Sequence, residues 1–84
     1  MKYLYFSAPW CGPCKQLAPK MELVAESVSV EKILVDSDTE TSEKYGIRNI
    51  PAVILIDENG VELERFLGVN DAEFYLEKFK SYVK

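Results

Sequence analysis

Apolar residues change their spacing along this 84-residue chain, and each change marks an element. Lys2-Tyr3-Leu4-Tyr5-Phe6 is short, aromatic and almost uniformly apolar, the pattern of a strand buried on both faces in the middle of a sheet. From Cys11 onward, Leu17, Ala18, Met21, Val24, Ala25 and Val28 recur at i, i+3, i+4 and i+7, the stripe of an amphipathic helix. Pro19 falls inside that stripe and predicts one kinked helix, because proline removes one hydrogen bond and crowds the preceding turn. Val28 to Asp36 is β-rich and partly alternating, a second strand made parallel to the first by its helical connection. Asp38 or Thr39 can cap a short helix running to Tyr45, which Gly46 stops. Gly46 to Ile56 reads as a third strand entered through Pro51, Asp57-Glu58-Asn59-Gly60 as a turn, and Val61 to Leu67 as a fourth, antiparallel strand ended by Gly68. Asn70 and Glu73 have capping-box spacing and open a last helix whose Phe74, Leu76, Phe79, Tyr82 and Val83 would cover the sheet. The order β-α-β-α-β-β-α places the chain in the α/β class, as one domain over residues 1–84.

Composition narrows the setting. A chain this short buries only about 60–65% of its unfolded surface, so its core must be efficient and leaves no room for a second module. The net charge of −4 and the scattering of Lys15, Lys20, Lys32, Lys44, Arg48 and Arg65 argue against nucleic acid as a partner. Met1–Phe6 lacks the long apolar core of a secretory leader, and no stretch approaches membrane-spanning length, so a cytoplasmic protein with no membrane partner is expected.

The candidate chemistry lies in Ser7-Ala8-Pro9-Trp10-Cys11-Gly12-Pro13-Cys14-Lys15, which holds both cysteines of the chain. Two cysteines this close cannot staple a fold, since the loop they close is tiny. With no second Cys-x-x-Cys and no histidine, the pattern argues against a metal site and for a redox-active dithiol. At a helix N-terminus the Cys11 sulfur faces unpaired N–H groups and the positive end of the helix dipole, which lowers its pKa. Cys14 lies one turn on and faces inward, placed to attack a mixed disulfide on Cys11 and release the substrate reduced. Pro13 suits a first helical turn, and Gly12 lets another backbone approach the sulfur.

Motif and element order together resemble the thioredoxin family over nearly the whole chain. Trp10-Cys11-Gly12-Pro13-Cys14-Lys15 is similar to the family's active-site hexapeptide, Pro19 to its helix proline, Lys44-Tyr45-Gly46-Ile47-Arg48-Asn49-Ile50-Pro51 to the segment before its cis-proline, and Gly68 to a glycine beside its substrate groove. The resemblance implies a four-stranded mixed sheet in the order second, first, third, fourth, with helices on both faces and without the family's N-terminal strand and helix. That remainder is the core shared with glutaredoxins. It further implies a cis Ile50–Pro51 bond, although statistics for proline alone favour trans. The Ile50 backbone would then pair with an extended substrate peptide beside Cys11, with Trp10, Ala52 and Gly68 as rim and floor. Protein-disulfide reduction is the implied activity. The implied partners are disulfide-containing proteins and a thioredoxin reductase drawing on NADPH through a flavin; no bound cofactor is implied, and a monomer is expected.

Two departures stand out. Tyr5 occupies the position, six residues before the nucleophile, where the family carries a buried aspartate. A phenol with a reference pKa near 10 is a poor base, so either water deprotonates Cys14 or Tyr5 only donates a hydrogen bond. Lys32 matches the lysine that pairs with that aspartate and must here lose its charge or reach solvent. The missing first strand leaves the Val28 to Val35 strand at a sheet edge, where Glu31 and Lys32 supply protective charge and dimerisation through the edge stays open. A glutathione-dependent glutaredoxin-like enzyme and a non-catalytic interaction subunit are the competing readings. Glutaredoxins usually place a tyrosine-containing dipeptide between the cysteines, which argues against the first.

Overall fold

A computed structural model describes residues 1–83. Three helices and four strands follow in the order β1 (Lys2–Ser7), α1 (Gly12–Ala25), β2 (Val30–Leu34), α2 (Thr39–Lys44), β3 (Ala52–Ile56), β4 (Glu62–Leu67) and α3 (Ala72–Tyr82). The sheet order is β2-β1-β3-β4, with β1 and β2 parallel and the other neighbours antiparallel. This is the mixed four-stranded arrangement that the family resemblance implies, and β2 is an edge.

Strand alternation sorts the core onto two faces. Tyr3 and Tyr5 of β1 and Val53 and Leu55 of β3 point to one face, where Leu17, Met21 and Val24 of α1 and Tyr75 of α3 cover them. Leu4, Phe6, Ala52, Ile54 and Ile56 point to the other, covered by Tyr45, Ile47 and Ile50 in the segment that follows the short α2. The Tyr3 hydroxyl donates to the Tyr75 carbonyl at 2.6 Å, and burial raises the Tyr3 pKa. That bond lets a phenol sit at the centre of the thicker layer without an orphaned polar atom.

Several boundaries differ from expectation, each for a local reason. Helix α1 ends at Ala25 with Glu26 as its C-cap, so Val28 belongs to the turn into β2. Pro19, by contrast, lies within a single helix, as expected. The third strand begins at Ala52 and not at Gly46: Pro51 has no N–H to give the ladder, and Gly46 at φ +62° closes α2. There Ile47 N–H reaches the Ser42 carbonyl at 2.9 Å and Gly46 N–H the Glu43 carbonyl at 3.0 Å, a Schellman ending. Asp38 is the α2 cap, accepting from Thr41 N–H at 3.0 Å. The capping box at Asn70 does not form. Asp71 is the N-cap of α3, and Asn70 Nδ2 donates instead to the Tyr75 hydroxyl at 3.4 Å. On α3 the buried residue is Tyr75, which the sequence reading passed over, while Tyr82 and Val83 are exposed, Tyr82 donating only its hydroxyl to the Glu64 carboxylate of β4 at 2.9 Å.

Candidate active site

The chain leaves β1 at Ser7 and turns through Ala8–Cys11, closed by Cys11 N–H donating to the Ala8 carbonyl at 3.2 Å. Cys11 is the N-cap of α1, in extended conformation, with Gly12 and Pro13 in the first turn. Its sulfur stands where a capping oxygen would stand and accepts from the Cys14 backbone N–H at 3.2 Å. Cys11 and Cys14 are joined as a disulfide with Cα atoms 5.3 Å apart. In this oxidised form Cys11 Sγ stands in for the thiolate that the same N–H would meet after reduction. Cys11 is 5% exposed and Cys14 1%, so both residues are buried, Cys14 the deeper.

Around them sit Ala8, Val35 and Ile50. Ile50 joins its neighbour Pro51 through a cis peptide bond, and the Pro51 carbonyl accepts from Gly68 N–H at 3.0 Å, with Gly68 at φ +83°. Cys11, Cys14, Ile50, Pro51 and Gly68, distant in sequence, thus form one connected cluster, from which Ile50 and Gly68 are partly exposed. A side chain at Gly12 or Gly68 would meet nothing within 4 Å, so the surface is open there; at Gly68 the positive φ, not crowding, favours glycine. Trp10 is 68% exposed and directs its indole N–H to the Asp36 carboxylate at 2.7 Å, which fixes the ring beside Cys11. Asp36, read from sequence as the last residue of the second strand, lies just beyond β2 and is a Trp10 anchor. Leu67 and Val69, which flank Gly68 and are exposed, extend the apolar rim, while Ala52 is fully buried in the core and contributes no exposed floor.

The departures resolve geometrically. Tyr5 donates its hydroxyl to the Cys14 carbonyl at 3.0 Å, with Ser7 Oγ 3.5 Å away. Lys32 is exposed, reaching solvent with its ammonium 5.9 Å from the Tyr5 ring centroid. Among the described residues no cluster of metal-ligating side chains forms, and no helix is long and apolar enough to cross a membrane.

A cysteine pair at a helix start, able to alternate between dithiol and disulfide on an α/β sheet, defines a thiol–disulfide oxidoreductase. The sequence model of the Thioredoxin family matches residues 2–81. Thioredoxin of Chlamydia trachomatis is 39% identical over 71 residues, spanning 81% of this chain and 69% of its own length. Thioredoxin of Bacillus subtilis is 38% identical over 72 residues, 81% of this chain and 68% of its own. Among solved structures, a mutant thioredoxin from Halobacterium salinarum superposes with a TM-score of 0.89 at 33% identity, covering 99% of this chain and 74% of that one. The chain belongs to the thioredoxin family and is a thioredoxin-type disulfide oxidoreductase. Neither the glutaredoxin-like nor the non-catalytic reading is favoured.

Proposed function

We propose that Cys11 is the attacking thiolate and Cys14 the resolving thiol of a protein-disulfide reductase. The observation that carries this assignment is the Cys11 sulfur at the α1 cap, receiving the Cys14 N–H. A negative sulfur there gains a hydrogen bond and the helix dipole, whereas Cys14 gains neither and is the more deeply buried of the two. Cys11 thiolate attacks a substrate disulfide, forming a mixed disulfide and expelling one substrate thiolate. Cys14, deprotonated, then attacks Cys11 Sγ; the Cys11–substrate bond breaks, the second substrate thiolate leaves, and the Cys11–Cys14 disulfide forms. The substrate disulfide gains two electrons and the protein dithiol loses them.

Trp10, Gly12, Pro13, Ile50, Pro51 and Gly68 make the docking surface. An extended substrate segment lies across it, pairing with the Ile50 backbone, while the exposed indole and Leu67 take its apolar side chains. Recognition is mostly main-chain, so many disulfide proteins qualify. Residues 1–84 act as one domain and as a monomer in the cytoplasm, without metal or bound cofactor. A flavin-containing, NADPH-dependent thioredoxin reductase returns the dithiol.

Cys14→Ser tests the assignment. This variant accumulates mixed disulfides through Cys11 when mixed with cell protein, and they dissolve on adding a reducing thiol. An empty trap, or a Cys11→Ser variant that accumulates the same mixed disulfides through Cys14, would refute it.

A further inference from the structure

For Cys14 to resolve a mixed disulfide its thiol must lose a proton, and the thiol lies beside a cavity distinct from the docking face. That cavity, of about 280 Å³, runs from Cys14 past Tyr5, Ser7 and Ala18 to a mouth bordered by Lys15, Lys32 and Leu34. Among the described residues no carboxylate lines it. On the β1 side the titratable group is Tyr5, whose hydroxyl hydrogen goes to the Cys14 carbonyl and not to the sulfur. From α1 and its cap come Lys15 and Cys11, and from β2 Lys32. Glu22 lines an adjoining cavity of about 160 Å³ on the far side of Ala18, and Asp36 is held by Trp10. Lys32 makes no ion pair within 4.0 Å among the described residues, and its ammonium stands over the Tyr5 ring, 5.9 Å from the centroid, on the wall of the same cavity.

We propose that this side cavity is the proton exit of the resolving cysteine, with Lys32 a positioning residue that stabilises the Cys14 thiolate and with water or dissolved base, not a protein carboxylate, taking the proton. The inference rests on Cys14 being the resolver. Base arriving through the mouth accepts the Cys14 proton, and the sulfur keeps the electron pair. That pair forms the Cys11–Cys14 bond as the substrate thiolate departs with the electrons of the broken bond. The ammonium of Lys32 across the cavity favours the charged sulfur, while Tyr5 fixes the Cys14 backbone through its carbonyl. Two consequences follow. Resolution accelerates with dissolved base at constant pH, as expected where no internal base competes. It also depends on the positive charge at position 32.

The test is rapid mixing of the reduced protein with 4,4′-dithiodipyridine, an uncharged disulfide. Its first thiopyridone is released as Cys11 attacks, in a phase proportional to reagent; its second is released as Cys14 resolves, in a phase independent of reagent. The second phase quickens with added imidazole at constant pH. Lys32→Met slows it about fivefold, the scale of one unit charge acting through a partly solvated cavity, and Lys32→Arg restores it. The first phase is unaffected by either change. A second phase indifferent to both imidazole and Lys32→Met, or one that Lys32→Arg fails to restore, overturns the proton-exit role and leaves Cys14 as resolver. Release of only one thiopyridone overturns both.

Discussion

The two faces of the sheet are covered unequally. On one, α1 and α3 lay a thick aromatic layer over Tyr3, Tyr5, Val53 and Leu55, in which Tyr75 meets Tyr3 edge-on at 5.8 Å and Phe66 at 5.9 Å. On the other, the six-residue α2 and the loop after it cover Leu4, Phe6, Ile54 and Ile56. Val35 and Ile50 belong both to this thinner layer and to the cluster around the cysteines, so the thin face grades into the chemistry. The contrast assigns separate tasks. One face supplies most of the hydrophobic stabilisation, and the end of the other presents backbone and sulfur to a partner.

Substitutions can break or sharpen that division. The largest effect is expected at the dithiol: Cys11→Ser abolishes turnover in an insulin-reduction assay while leaving the far-ultraviolet circular dichroism of the reduced protein unchanged. On the thick face, Leu17→Ala removes a fully buried side chain and costs about 3 kcal/mol in denaturant unfolding, with activity per folded molecule retained. If Leu17→Ala instead reduced activity without loss of stability, the division of labour would fail. At the rim, Trp10→Ala raises KM for a protein disulfide about threefold to tenfold, the scale of one aromatic contact, and leaves stability almost unchanged.

The smallest effect concerns the α2 cap beneath the thin face. The Thr41 backbone N–H, and next its hydroxyl, hold the Asp38 carboxyl below its ordinary pKa. A lowered folded-state value means that the cap stabilises fully above the unfolded pKa of about 3.9, and that this contribution disappears as pH falls through the folded-state value. Asp38→Ala therefore lowers the melting temperature at neutral pH slightly and shows a shallower further decline in acid than the parent.

Strand and helix order was legible because periodicity switches cleanly, from the apolar run at Lys2–Phe6 to the helical stripe through Leu17, Met21 and Val24. The dithiol was legible from Cys11 to Cys14, where spacing itself carries the chemistry. Contacts between distant segments were not. Nothing local tells Asp36 to hold the Trp10 indole, or Tyr5 to bond the Cys14 carbonyl. The first follows from β1 and β2 lying in parallel register, and the second from α1 folding back across β1. The α3 cap failed for a related reason. Asn70 has the spacing, but its amide is drawn to the Tyr75 hydroxyl, so the helix starts one residue later. Tyr75 was overlooked because the neighbouring Phe74 and Leu76 offer equally apolar positions, and only the crossing of α3 over the sheet decides among them.

The assignment of Cys11 as the attacking thiolate requires the α1 cap to make its sulfur acidic. Alkylation of the single thiol in reduced Cys14→Ser protein by iodoacetamide, followed across pH, measures this directly. A midpoint below the roughly 8.5 of an ordinary cysteine is expected, and a midpoint at or above that value would contradict an acidic Cys11.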